Sequence, residues 1–469
     1  MKSLSQAYAL LGLVTVSCAC SSNHAEPKAA PVDAVASAPA TSASAEPKPA
    51  PSASAAAGPA DAASPDASAK AAQAAQAPLA GQDFIDQARL LFRLAACGGD
   101  APIPERFDAK QVLAHCKALT ANYAEYKKQW VDVAMPYIAK LEPKGLPTDV
   151  VYPFGGSDLM TALATFPDAT AYTTISLETA ADIRRVDTIT PKKLDAELAL
   201  NRLHLSKLFD KIHSRTVNLD MESKSDLPGE IVFSMVALAI YGFEPTSLRY
   251  FKFNPDGTLH YLSASDIETM EKAMLRTFFP AHTLARGAGK KRSAAEIQAD
   301  VFGNVEIQFR KAGDASAPIK TFRHVAANLD DKHMHADPSL LHHLEAKGKV
   351  SVMTKAASHC LWSDDFGVIR QYLLDHMAWM ISDSTGIPVR IANKAGFVQD
   401  TYGVMDWPAA FFVDNRDQVQ INHDAEDMKK LWKTNPQHDL PFRYGYPDRD
   451  HHGHMMITRP GNSPAPPAP

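Results

Sequence analysis

From Phe84 onward the apolar residues fall at helical spacing. Phe84, Ala88, Leu91, Phe92 and Ala95 predict one helix; Val112, Leu119, Tyr123, Tyr126 and Trp130 predict a second, capped by Asp108 and ended or kinked at Pro136. Together they make a helical block over residues 83–145. The period then changes. Asp149-Val150-Val151-Tyr152-Pro153-Phe154 is strand-like, Gly155-Gly156 is a turn, Ser157 to Phe166 is a short apolar helix, and Ala171 to Leu177 is a second strand ending at Glu178. Strand, glycine turn, helix and strand in this order predict a parallel βαβ unit.

Further along, Thr190-Pro191 caps and opens a helix with Leu194, Leu198, Leu205, Leu208 and Ile212 on one face. An apolar helix over about Glu230–Gly242 precedes a hairpin, RYFKFNPDGTLHYLS, that turns at Asp256-Gly257. Val305–Arg310 and Ile319–Ala326 read as strands, Asp337-Pro338 opens a helix that stops near Gly348, and Val350–Thr354 reads as a buried strand. Ser363 or Asp364 then caps an amphipathic helix carrying Phe366, Ile369, Leu373, Met377, Met380 and Ile381, ended by Gly386 and Pro388. Helices alternating with buried strands predict an α/β fold: a mostly parallel, Rossmann-like sheet flanked by helices, with an N-terminal helical block and antiparallel hairpin insertions.

The two ends lack this patterning. Between His24 and Ala80, 25 Ala, 9 Pro and 7 Ser account for 41 of 57 residues, with no aromatic among them. Such a stretch cannot bury enough apolar surface to offset its ordering entropy, and the interspersed prolines break any long alanine helix. Residues 18–80 therefore read as a disordered tether. Specific binding to an anionic wall polymer is the alternative, but only Lys28, Lys48 and Lys70 would serve it. The globular body spans 81–458, and the Pro-rich tail 459–469 is low-complexity punctuation.

Ahead of the tether, MKSLSQAYALLGLVTVSCAC has one cation, Lys2, before an apolar stretch from Ala7 to Val16. That stretch is too short to span a bilayer and suits the central region of a secretory signal. Its end, Ser17-Cys18, resembles the lipobox of bacterial lipoproteins. The resemblance implies cleavage of a signal peptide, residues 1–17, and lipidation of Cys18. Thr15 stands where that family has Leu or Val, and Cys20 after Ala19 is the alternative site. The absence of Asp after either cysteine implies, within that family, an outer-membrane lipoprotein facing the periplasm or the cell surface. An ordinary cleaved signal with incidental cysteines is the plainer reading. The other cysteines fit an oxidising compartment: Cys97 ends the first helical pattern and Cys116 lies in the second, so the turn-rich GGDAPIPERF between them lets the two meet as a disulfide or as two buried thiols. Cys360, in the run AASHCLW, reads as core.

The main chemical constellation is Tyr152-Pro153-Phe154-Gly155-Gly156-Ser157-Asp158 followed by Glu178. In open α/β sheets ligands bind beyond the carboxyl ends of strands, where a glycine turn admits backbone contact and a later acid can bond ribose hydroxyls. In outline this resembles the nucleoside-binding end of class I methyltransferases. The resemblance implies a cofactor contact by Gly155, Gly156, Asp158 and Glu178, with Asp158 compatible with a sulfonium and repulsive to a pyrophosphate. The departures are clear: there is no G-x-G-x-x-G, and nucleotide cofactors are not normally supplied outside the cytoplasmic membrane. A tight strand–helix turn, or a fold that has lost its cofactor, is the plainer account. Lys355 and His359 would face the same crevice if Val350–Thr354 pairs with Val150–Tyr152, making them candidate acid–base residues.

His333 and His335, with His342 and His343 nearby, are candidate metal ligands, although adjacent helical histidines diverge and no known zinc spacing matches. The tail run Asp450-His451-His452-Gly453-His454-Met455-Met456 has softer metal-binding composition. Arg286 to Arg292 form a small basic loop that is not a phosphate-binding motif, and no G-x-S-x-G is present. The phrases VVYPFGGSDLMTALATFP…TTISLE and MTKAASHCLW…IRQYLLD…DSTGIP resemble a bacterial family of large α/β proteins to which no activity is assigned; that resemblance transfers no functional residue.

A formal charge of −5 gives no footprint for nucleic acid. The sequence thus predicts a membrane-anchored lipoprotein whose partners are a lipid bilayer and an envelope protein or saccharide, and whose body binds. The cofactor, if any, is unknown. The alternatives are an enzyme using the glycine-turn crevice and a metal-handling protein.

Overall fold

A computed structural model of the protein describes residues 80–209, 225–278, 301–405, 418–444 and 453–466, all within one unit of the chain, 75–469. Cys18, Cys20, Arg286–Arg292, His451 and His452 lie outside the described residues. Among the described residues the apolar runs become ten strands of one sheet: β1 (Asp149–Pro153), β2 (Ala171–Ser176), β3 (Phe243–Phe253), β4 (Leu259–Tyr261), β5 (Asn304–Lys311), β6 (Lys320–Ala326), β7 (Val350–Met353), β8 (Met377–Ser382), β9 (Phe397–Gly403) and β10 (His454–Pro460). Their order is β4-β3-β5-β6-β2-β1-β7-β8-β10-β9.

The fold is α/β, but the sheet is mixed rather than mostly parallel. The strands β6, β2, β1, β7 and β8 run parallel. The pairings β3–β4, β3–β5, β5–β6, β8–β10 and β9–β10 are antiparallel. Connection length explains part of this. β3 and β4 are joined through the Asp256-Gly257 turn, where Gly257 has φ 82°, and β5 reaches β6 through a loop too short for a crossover; such links join only antiparallel neighbours.

Helices cover both faces. They are α1 (Ile85–Ala95), α2 (Ala109–Tyr126), α3 (Met135–Leu141), α4 (Leu159–Thr165), α5 (Arg185–Thr188), α6 (Pro191–Phe209), α7 (Gly229–Tyr241), α8 (Ala264–Phe278), α9 (Asp331–Ala336), α10 (Ser339–Glu345), α11 (Gly367–His376), α12 (Val389–Lys394) and α13 (Gln418–Thr434). Alternation along β1 sorts the layers: Val150 and Tyr152 join the core under α1, α2, α4 and α7, while Val151 joins the core under α10, α11 and α12. The helical block is therefore part of one covering layer. None of the described helices is long and apolar enough to cross a membrane.

Three local readings change. Pro136 does not end its helix. The chain widens into a π-helix over Lys127–Ala134, where the Met135 N–H bonds to Trp130 O, and α3 continues through the proline; the wider turn absorbs a residue that would otherwise clash with the carbonyl four positions back. The helix expected from Phe366 to Ile381 stops at His376, and Met377–Ser382 is strand β8. Met377, Met380 and Ile381 extend the helical spacing of Ile369 and Leu373, yet a strand covered on both faces is apolar whatever its period. The third change concerns the tail histidines. His454 opens β10, an interior strand between β8 and β9, and is 2% exposed.

Cys97 and Cys116 form a disulfide that ties the end of α1 to α2, with Cα atoms 5.4 Å apart; Cys360 is a buried thiol. Replacing both bonded cysteines by Ser should lower stability by roughly 3 kcal/mol, the loop-closure value for a loop of this length, measurable by denaturant unfolding.

Two buried histidines, His115 and His324, and the half-buried His343 are disfavoured as cations. Burial lowers His115 and His343 each to about 4, and burial lowers His324 as well. Glu142 goes the other way: burial, with Asp168 nearby, raises its carboxyl from 4.5 to about 8. Below about pH 6.5 the unfolded chain binds protons on these histidines that the fold refuses, so stability falls on acidification. As pH rises from 4.5 to about 8 the unfolded chain loses a Glu142 proton that the fold keeps, which also lowers stability and is unopposed by the histidines above about 6.5. Unfolding free energy followed across this range should peak near pH 6.5, and Glu142→Gln should flatten the decline on the alkaline side.

Candidate functional site at the carboxyl ends of the central strands

β1 has β2 on one side and β7 on the other, and the chain visits β2 first and β7 only much later. In open α/β sheets such a reversal of direction marks where ligands bind, beyond the carboxyl ends of the strands that flank it, here β1 and β7. The loop that leaves β1 is tightly drawn. Phe154 and Gly156 both have positive φ, 62° and 51°, and the Gly155 N–H donates to Ile175 O of β2 at 3.0 Å. A Cβ on Gly155 would lie 2.6 Å from the Tyr152 ring, so the turn requires glycine there.

At the end of this loop Asp158 caps α4. Its Oδ1 accepts from Thr161 N at 3.2 Å and Thr161 Oγ1 at 2.7 Å, and its Oδ2 accepts from Tyr152 Oη at 3.1 Å. Lys355, two residues past β7, brings its Nζ to 2.6 Å from Asp158 Oδ2 and 3.0 Å from Thr161 Oγ1. The pairing β1–β7 thus brings together two residues 197 positions apart, Asp158 and Lys355, both about a fifth exposed, at 21% and 22%. Trp130 stands 5.7 Å from the Lys355 ammonium, a cation–π contact. Burial, reinforced by Asp158, keeps the Tyr152 hydroxyl protonated far above its usual range.

A second buried carboxylate lies past β8. Asp383 is fully buried and accepts from Thr385 N at 2.8 Å and from the Thr385 hydroxyl, which in turn meets the Ser358 hydroxyl. Tyr444 packs over this end of the sheet; burial, then Asp383 and Asp158, raise its hydroxyl. Beside it, His454 Nε2 lies 3.0 Å from Ser384 Oγ.

Glu178 follows β2 on the other flank of the loop. Its backbone is fixed: the N–H donates to Ser176 Oγ at 3.2 Å, and the carbonyl accepts from His324 Nε2 at 2.9 Å. His324, completely buried on β6, has Nδ1 3.2 Å from both Thr174 Oγ1 and Glu230 Oε1. The Glu178 carboxylate is half-buried and holds no hydrogen bond or ion pair among the described residues, next to Leu177, which is 68% exposed.

The remaining candidates separate from this crevice. His359 is half-buried in the segment Ala356–Trp362 and is not among the hydrogen-bond partners of Asp158, which are Thr161 and Tyr152, or its ion-pair partner Lys355. His333 Nδ1 lies 2.6 Å from Asp330 Oδ1, the cap of its own helix α9, and His335 is exposed. His342 and His343 dock on the β3–β4 turn through Pro255 O and Gly257 O. Among the described residues no three His, Cys, Asp or Glu side chains converge to hold a metal ion.

His324 and Tyr444 carry no motif; the pairing of β6 with β2 brings His324 to this edge, and Tyr444 reaches it from a loop, with its hydroxyl donating to Thr354 O at 3.4 Å. The Asp383-Ser384-Thr385-Gly386 turn was readable, but as the end of a helix rather than of β8. In comparisons with known proteins, no protein-family model matches the chain, and no curated protein matches it.

The Asp158–Lys355 pair should be energetically coupled. In a double-mutant cycle of Asp158→Asn and Lys355→Met, read by denaturant unfolding, a coupling of about 1–3 kcal/mol is expected for a half-buried charge-assisted bond. Asp158→Ala should cost more than Asp158→Asn, because it also removes the cap on α4.

Proposed function

We propose that this chain is an envelope lipoprotein whose α/β body binds a small polar ligand beyond the carboxyl ends of β1, β2 and β7. The observation that carries the reading is the contrast between two acids that follow the neighbouring strands β1 and β2. Asp158 is consumed by Lys355, Thr161 and Tyr152, while Glu178, on a backbone clamped by His324, offers a carboxylate without such partners among the described residues. A half-buried acid on a rigid support is suited to accept hydrogen bonds from ligand hydroxyls or amines. Because Lys355 neutralises Asp158, the crevice is less hostile to anionic or neutral ligands than the bare sequence implies. In this reading Cys18, or Cys20, carries the lipid, residues up to 80 act as the tether, and the outer membrane is the site of action.

A second reading, an enzyme methyltransferase-like by descent, is favoured by the sheet. Without β3, β4 and β5, the remaining seven strands numbered in chain order lie as third, second, first, fourth, fifth, seventh, sixth, with the seventh alone reversed. That is the Rossmann-like order the class I methyltransferase resemblance implies. Fold of itself does not assign activity, and the loop after β1 still has one glycine pair in place of a glycine-rich run. The metal-handling reading through His333 and His335 has the weaker support, since Asp330 already engages His333.

A thermal-shift screen of the full chain in detergent tests these readings against nucleosides, S-adenosylmethionine, envelope saccharides and divalent metals. A ligand at 100 times its Kd should add about 2.7 kcal/mol, and Glu178→Ala should abolish that gain without moving the unliganded Tm. A nucleoside or S-adenosylmethionine shift favours the enzyme reading. A metal shift removed by His333→Ala with His335→Ala favours the third, and a flat screen overturns the small-ligand reading. Separately, Cys18→Ala should abolish palmitate incorporation; label that persists until Cys20 is also replaced assigns the lipid to Cys20.

A further inference from the structure

A cavity of about 250 Å³ lies away from the crevice, between the segment leading into α11 and the helices α12 and α13. Its apolar wall is Trp362, Ile391 and Ile421. Trp362 is held by its Nε1 donating to Gly386 O at 2.8 Å, and Ile421 is almost fully buried. The polar side carries two guanidiniums and two carboxylates: Arg370, Arg390, Asp364 and Asp424.

These four charges are unequally committed. Arg390 and Asp424 are spent on each other, with Nε to Oδ1 at 3.0 Å and Nη2 to Oδ2 at 3.3 Å. Arg370 is anchored by one nitrogen only: Nη1 donates to Leu361 O and Ser363 O at 2.8 and 2.9 Å, and Nε and Nη2 hold no hydrogen bond among the described residues. Asp364 is exposed and has no hydrogen bond or ion pair there. One half-buried cation and one exposed anion thus remain on the rim of a cavity whose other wall is an indole and two branched aliphatic chains. Burial disfavours the charged form of Arg370, while the carboxylates of Asp364 and Asp331 favour it and Arg390 opposes it, so Arg370 and Asp364 face one another as opposite charges on one rim.

We propose that this cavity is a binding site for a small zwitterion with an apolar side chain, the chemistry of a free α-amino acid. The ligand carboxylate pairs with Arg370, the ammonium with Asp364, and the side chain packs on Trp362, Ile391 and Ile421. A ligand with only one charge leaves the opposite rim charge unpaired, and the volume lies below the roughly 300–1,000 Å³ typical of larger drug-sized ligands. The site shares no residue with the crevice at Glu178, so it stands or falls independently of the proposed function.

Titration calorimetry on the full chain with L-phenylalanine, 3-phenylpropanoate and phenethylamine tests the assignment. L-Phenylalanine should bind saturably, and the acid and the amine should each bind at least about tenfold more weakly, as expected for loss of one charge-assisted hydrogen bond. Asp364→Asn, an exposed change that leaves the fold intact, should weaken L-phenylalanine by a similar factor and leave 3-phenylpropanoate unchanged. Ile391→Trp should fill the cavity and abolish binding at an unchanged Tm, and Glu178→Ala should have no effect. No saturable binding of L-phenylalanine, equal binding of the acid alone, or full binding to Ile391→Trp would each overturn the proposal.

Discussion

The constraint on which the rest depends is that β1 is buried on both faces. Val150, Val151 and Tyr152 are each almost without exposure, so the strand exists only because helices cover the sheet above and below. The covered faces of β1 itself carry only Val150, Val151 and Tyr152 in its centre. Charged groups that must approach one another in this part of the fold can do so only past the strand ends, and the carboxyl ends of β1, β7 and β8 collect Asp158, Lys355 and Asp383 there.

Buried charge then has to be satisfied, and the fold does this with short local bonds. Asp158 combines a helix cap, a tyrosine hydroxyl and an ammonium in one carboxylate. Each of these partners is fixed by a different element: Thr161 by α4, Tyr152 by β1 and Lys355 by the exit from β7. Removing one partner of a partly buried, hydrogen-bonded charge leaves the other uncompensated, so the pair ties the end of β1 to the end of β7. Arg249 and Glu306 repeat the device on the other half of the sheet, where the guanidinium also meets the Tyr261 ring at 4.0 Å and Arg323 adds a second cation.

Much of this was legible in the sequence where local chemistry is decisive. The capped helices, the glycine turn after β1, the hairpin at Asp256-Gly257 and the run from Val350 follow from periodicity and turn residues. The failures share one cause: burial on both sides erases the period. Met377–Ser382 was apolar enough to continue a helix, and His454–Pro460 looked like a tail because a histidine-rich lead hides an interior strand. Missing β10, which runs antiparallel to both β8 and β9, made the sheet seem mostly parallel. The candidate site was half legible for the same reason. Asp158, Glu178 and Lys355 stood beside recognisable turns, whereas His324 meets Glu178, and Tyr444 meets Thr354, only across long sequence separations.

Partner accounting then separates structural from available groups. Asp158, Asp383 and His324 sit at the edge where ligands bind in sheets of this kind, but each is engaged by the fold: Asp158 by Lys355, Asp383 by Thr385, His324 by the Glu178 carbonyl. Their loss would register first as instability. Glu178 differs because its backbone is held while its carboxylate is not. Arg370 and Asp364 differ in the same way, one guanidinium nitrogen anchored and the rest of the charge facing a cavity. Rigid support with an uncommitted polar end is what binding requires, since ordering has been completed before the ligand arrives. Motif resemblance alone ranks Asp158 with Glu178. Counting partners ranks Glu178 above it and adds a second location that no motif marks.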